Sequence, residues 1–99
     1  MRPQVLRVHA NAIKSFEDVS PIEGFKRLHR LTLMNNPLDQ HRDYRHLACA
    51  LVPSLKQFDN VLITASEGLK IASYRSSPRG VKEINSIRRA RAHVNKMAS

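Results

Sequence analysis

Cysteine occurs once in these 99 residues, tryptophan not at all, and glycine only three times. Cys49 has no partner in the chain, so a disulfide framework is excluded and a reducing compartment fits. Scattered at positions 24, 68 and 80, the glycines cannot build a phosphate-cradling loop. No apolar run approaches the roughly 18 residues that a membrane span requires. Met1–Ser15 also lacks the unbroken apolar stretch of a secretory signal. Acidic residues are scarce, eight against 17 Lys and Arg, for a net charge of +9. Residues 1–63 carry nine basic and six acidic side chains, a net of +3, whereas residues 64–99 carry eight and two, a net of +6. The positive field is thus concentrated in the tail, where an anionic partner would meet it.

What the chain does have is a repeat. Leu28, Leu31, Leu33, Asn36 and Leu38 fit L-x-x-L-x-L-x-x-N-x-L, and Leu6, Val8, Asn11 and Ile13 repeat its second half 25 residues earlier. A third, decayed copy begins at Leu55, 27 residues after Leu28, and includes Phe58. Residues two apart on a strand share a face, so Leu6 with Val8, and Leu31 with Leu33, point into one core. Asn11 and Asn36 are the polar positions of this apolar frame. Their amides can bond backbone where the chain leaves each strand, and they stack into a ladder. Asn35, one position off, is expected to be dispensable. A period of 25–27 residues lies in the leucine-rich-repeat range.

Between the strands, Phe16, Val19, Ile22 and Phe25 recur every three residues and predict a helical or 3₁₀ return segment with all four facing inward. Tyr44, Leu47, Ala48 and Leu51 form the buried stripe of a helix that Pro53 stops, with Cys49 as filler. Thr64 and Glu67 have capping-box spacing for a helix over about 65–75, with Leu69, Ala72 and Ile71 inward. Residues 75–80 carry turn and linker chemistry. Beyond them Val81, Ile84, Ile87, Ala90 and Val94 make one stripe of a basic amphipathic helix.

Residues 28–67 resemble the last repeat and C-terminal cap of intracellular leucine-rich-repeat proteins. The matching elements are the Leu31–Leu38 motif, Tyr44-Arg45, Pro53-x-Leu55-x-x-Phe58-Asp59 and Ile63-Thr64-x-x-Glu67. Phe58 stands where the family usually has Leu. The resemblance implies an α/β fold: a short leucine-rich-repeat solenoid of about two repeats plus C-terminal cap over residues 1–67, followed by a basic helical tail over 68–99. Two groups are similar in following the cap with such a tail: small ciliary and axonemal leucine-rich-repeat proteins, and the spliceosomal leucine-rich A-prime protein. Both carry four or more repeats where this chain has two strands and a cap. The first strand, Val5–Ala10, should therefore leave an open edge, covered by a partner or by upstream repeats.

No catalytic motif, cofactor site or metal-ligand spacing is present; His29, His41 and His46 do not form one. The resemblance implies a non-catalytic scaffold or adaptor subunit of a larger assembly. A ciliary or axonemal, microtubule-associated setting is the first reading, and a spliceosome-like or other ribonucleoprotein the alternative. The location is accordingly intracellular: cytoplasm and cytoskeleton in the first case, nucleus in the second. Residues flanking the strand leucines are the expected partner face: Arg7 and His9, then Arg30, Thr32 and Met34, then Gln57 and Asp59. In the tail, Ile84 and Ile87 with Arg88, Arg89 and Arg91 are candidates for docking on an acidic protein surface. Direct RNA contact is less favoured there, because no aromatic follows Tyr74 to stack a base.

Overall fold

A computed structural model describes the backbone of residues 4–7 and 13–98, with the side chains of Val5 and residues 13–90. Strand β1 (Gln4–Arg7) is followed by a 3₁₀ segment (Phe16–Gly24), β2 (Leu28–Thr32) and a short 3₁₀ turn (Pro37–Gln40). Then come α1 (Tyr44–Leu51), β3 (Gln57–Phe58), β4 (Val61–Leu62), α2 (Ala65–Ser76) and α3 (Pro78–Ala98). The sheet order is β1-β2-β3-β4, parallel through β3, with β4 turned back antiparallel. Pairing reproduces the sequence period. Val5, Leu6 and Arg7 lie beside Arg30, Leu31 and Thr32, an offset of 25, and Leu31 lies beside Phe58, an offset of 27.

Leu28, Leu31, Leu33, Leu38, Phe58 and the α1 stripe of Leu47, Ala48 and Leu51 share one core with Phe16, Val19 and Ile22. Val8, His9 and Asn11 lie outside the described residues, as do the side chains of Leu6, Arg7 and Arg91. Asn36 is buried and works as the pattern requires. Its Nδ2 donates to the Leu33 carbonyl at 2.8 Å, and its Oδ1 accepts from Ile13 N at 3.4 Å, joining two successive turns. Asn35 is not dispensable: it sits at φ 67°, where a residue with a plain Cβ is strained.

Two expectations about the inward faces change. Phe25 follows the end of the 3₁₀ segment, leaves its period and is 42% exposed. In α2 the inward residues are Ile71 and Tyr74, while Leu69 is 76% exposed and Ala72 also faces solvent. Residues 75–80 are a tight corner between two helices. Ser77 Oγ donates to the Tyr74 carbonyl at 2.6 Å and accepts from Gly80 N at 3.0 Å, and Pro78 starts α3 without needing a donor. A Cβ on Gly80 would sit 1.9 Å from the Tyr74 oxygen, so only glycine fits. The expected division at 67/68 falls inside α2, and residues on both sides of it belong to the same core.

Candidate protein-interaction face

The strand face away from the core carries Val5, Arg30 and Gln57 side by side in register, with Thr32, whose backbone pairs with Arg7, in the next row. Arg30 is exposed and makes no hydrogen bond or ion pair among the described residues; Thr32, Met34 and Gln57 are half-buried. This face carries a shallow dent of about 30 Å³ bordered by Val5, Arg30, Thr32, Gln57 and Asn60. That is far below the roughly 300 Å³ at which small-molecule sites begin, so the shape suits a macromolecular surface.

Asp59 does not join this face. The chain turns through positive φ at Asp59 and Asn60, which aims the carboxylate back at the sheet. Oδ1 accepts from Leu33 N at 2.8 Å and Met34 N at 3.2 Å, and Oδ2 accepts from the Tyr44 hydroxyl at 2.5 Å. These are backbone donors beyond the point where the two-residue β3 ends, and the carboxylate takes the place of further strand. Burial and the neighbouring Asp59 charge hold the Tyr44 hydroxyl protonated far above the ordinary tyrosine range.

Arg45 closes the same end. Nη1 donates to the Phe58 carbonyl at 3.0 Å, while Nε and Nη2 grip both oxygens of Glu67. Thr64 caps α2 as its spacing predicts, accepting from Glu67 N at 3.1 Å. The Glu67 side chain goes to Arg45 instead of back to the cap, so only half of the expected capping box forms. The guanidinium holds the Glu67 carboxyl below its usual value. Arg45 and Glu67 were visible in the sequence as cap residues, but nothing in their spacing indicated that they pair.

The tail corrects the second expected contact. Ile84 and Ile87 are 5% and 1% exposed, packed in the chain's own core, and offer no docking stripe. Arg88 is bound to Glu23 at 2.7–2.8 Å, Arg79 to the buried Asp43 at 3.0 Å, and Ser86 donates to Glu17 at 3.2 Å. Tyr74 donates to the same Asp43; burial and that carboxylate raise its pKa well above normal. Arg89 alone of the three expected tail arginines is described and exposed without a partner. Burial pushes the Cys49 thiol up to about 12, which suits filler and not a nucleophile. Among the described residues no group of three or more His, Cys, Asp or Glu could hold a metal ion, and no helix is long and apolar enough to cross a membrane.

Stacked parallel strands, an Asn36 rung and a carboxylate-closed last turn are the architecture of a leucine-rich-repeat protein, and this chain has that fold. No protein-family model matches it. It is similar to leucine-rich repeat-containing protein 51 of Bos taurus, at 30% identity over 63 residues, covering 64% of this chain and 33% of that protein. It is also similar to acidic leucine-rich nuclear phosphoprotein 32 family member A of Drosophila melanogaster, at 39% identity over 56 residues, covering 57% and 22%. Among solved structures, a chain of the Drosophila melanogaster SNF/U2A' complex superposes with a TM-score of 0.71 at 20% identity, over 83% of this chain and 47% of that one. The matched region thus spans about a third of the first curated relative and about half of the solved chain.

Proposed function

We propose that the chain is a non-catalytic protein-interaction scaffold that works within a larger intracellular assembly through its strand face. The observation that carries this is the in-register row of Val5, Arg30 and Gln57, flat and open, beside which Thr32, paired with Arg7, continues the face. Substituting Arg30→Glu together with Gln57→Ala should abolish recovery of partners in affinity purification and leave the circular dichroism spectrum and melting temperature unchanged. Unaltered recovery would place the contact elsewhere.

For the assembly itself, we propose a ciliary or axonemal, microtubule-associated one, because a Thr64-led helix and a basic tail follow the cap, as in the small ciliary leucine-rich-repeat proteins that the sequence resembles. A ribonucleoprotein is the second reading. It is supported by the superposition on a chain of the SNF/U2A' complex and by similarity to a protein named as a nuclear phosphoprotein. Proximity labelling separates them: tubulin and dynein-associated proteins in the first case, RNA-processing factors in the second.

A further inference from the structure

We propose that the cleft between α1, α3 and the end of the first 3₁₀ segment is a docking site for a short acidic segment of another protein bearing one or two large apolar side chains. The cleft has a volume of about 390 Å³, within the range of ligand pockets, and lies open along one side, so it admits a length of chain. Leu51, Val52, Pro53 and Ile84 form its apolar floor, and Phe25 borders it. Phe16 and Phe58 are no more than 2% exposed, whereas Phe25 is 42% exposed, and a large apolar ligand side chain would cover it.

The rim selects the sign of the partner. Lys26, Arg75, Arg88 and Glu23 surround the floor, and Arg88 is already matched by Glu23. Arg75 donates only Nε, to the Ala50 carbonyl at 3.3 Å, so it offsets the negative end of α1 and keeps its other N–H groups for a ligand. Lys26 is exposed. Two cations are left over, and the net charge of +9 steers anions toward the whole chain while opposing a second copy of it. A mostly aliphatic floor favours an acidic peptide with large apolar side chains over a nucleic-acid backbone. None of these residues belongs to the strand face, so this proposal and the one above fail separately.

The test uses the full chain and a labelled ten-residue peptide with a central Leu-Phe pair flanked by Glu and Asp. Fluorescence anisotropy should show binding that weakens about tenfold or more when Leu-Phe becomes Ser-Ser, or when the acids become their amides. Lys26→Glu with Arg75→Glu should weaken it as much, and a Lys-flanked peptide should bind that variant instead. Arg42→Glu with Lys82→Glu, the same change in net charge away from both the cleft and the strand face, should shift binding by less than about twofold. Independently of any variant, amide resonances of residues 23–26, 51–54, 75 and 84–88 in the wild-type protein should move on titration. Equal binding by the Ser-Ser peptide, equal damage from the distant pair or resonance shifts elsewhere would overturn the proposal. So would self-association lost in Phe25→Ser without peptide binding, or preferential binding of single-stranded RNA at the same residues.

Discussion

At one end of the sheet, where β3 turns back into the edge strand β4, Asp59 accepts from backbone just past β2 and Arg45 donates to the Phe58 carbonyl of β3; at the other, β1 meets β2 on one side only, with Val5 half exposed. The capped edge is finished by charged side chains aimed at backbone, and finishing it requires two consecutive residues at positive φ, Asp59 and Asn60. The β1 edge has no such device among the described residues and presents ladder groups that another strand can pair. A solenoid end is therefore closed by directed electrostatics, since one more layer of apolar side chains would only create a new edge.

The largest effect that sharpens this contrast is Asp59→Ala, which orphans two backbone donors and the Tyr44 hydroxyl and should cost about 3–5 kcal/mol in urea unfolding. Asp59→Asn, which keeps one acceptor and tolerates the turn, should fall between the two. A loss under about 1 kcal/mol for Asp59→Ala would erase the distinction between the edges. Next, Asn36→Ala should cost about 1–3 kcal/mol through the Leu33 carbonyl and Ile13 amide. Asn35→Ala should cost about 1 kcal/mol through its left-handed backbone alone.

Glu67→Gln should lower stability by about 1 kcal/mol at neutral pH. Because Arg45 depresses the folded pKa of Glu67, the wild-type advantage is fully present above the unfolded value of about 4.3 and is lost as pH falls through the lower folded value. Urea midpoints of the two proteins should converge only below that pH; a gap that survives to pH 2 would contradict the pairing. The smallest change belongs to the other edge: Val5→Thr should shift stability by less than about 0.5 kcal/mol.

The period of 25 and 27 residues was legible in the sequence because register and repeat are the same quantity, and Asn36 because the other frame positions of its repeat, Leu31, Leu33 and Leu38, are apolar. Asp59 was misplaced on the partner face, since strand alternation was carried one residue past the turn; the adjacent Asp59-Asn60 pair, both tolerant of positive φ, was the available signal. In α2 Ile71 is inward as expected, but a helix of 12 residues with sparse apolar positions has two near-equal stripes, and packing turned Tyr74 inward in place of Leu69 and Ala72. Ile84 and Ile87 are expected as a stripe docked on a partner but are buried in the chain's own core, while Val81 of the same stripe is 43% exposed. Amphipathicity says that a face is covered and not by what, and here the chain covers it itself. The cleft bordered by Phe25 left no trace in the sequence, because it exists only where four separated segments meet.

That return of α3 has a kinetic consequence. Repeat arrays fold from neighbour to neighbour, with contacts local in sequence. Here Ser86 bonds Glu17 and Arg88 bonds Glu23 across separations of 69 and 65 residues, which ties the last helix to the first return segment. Loops of that length are costly to close, so docking of α3 is expected to follow ordering of the strands and to couple the last helix to the first return segment on unfolding. During synthesis the 3₁₀ segment emerges some 60 residues before the helix that covers it, and until α3 arrives its apolar side is bare.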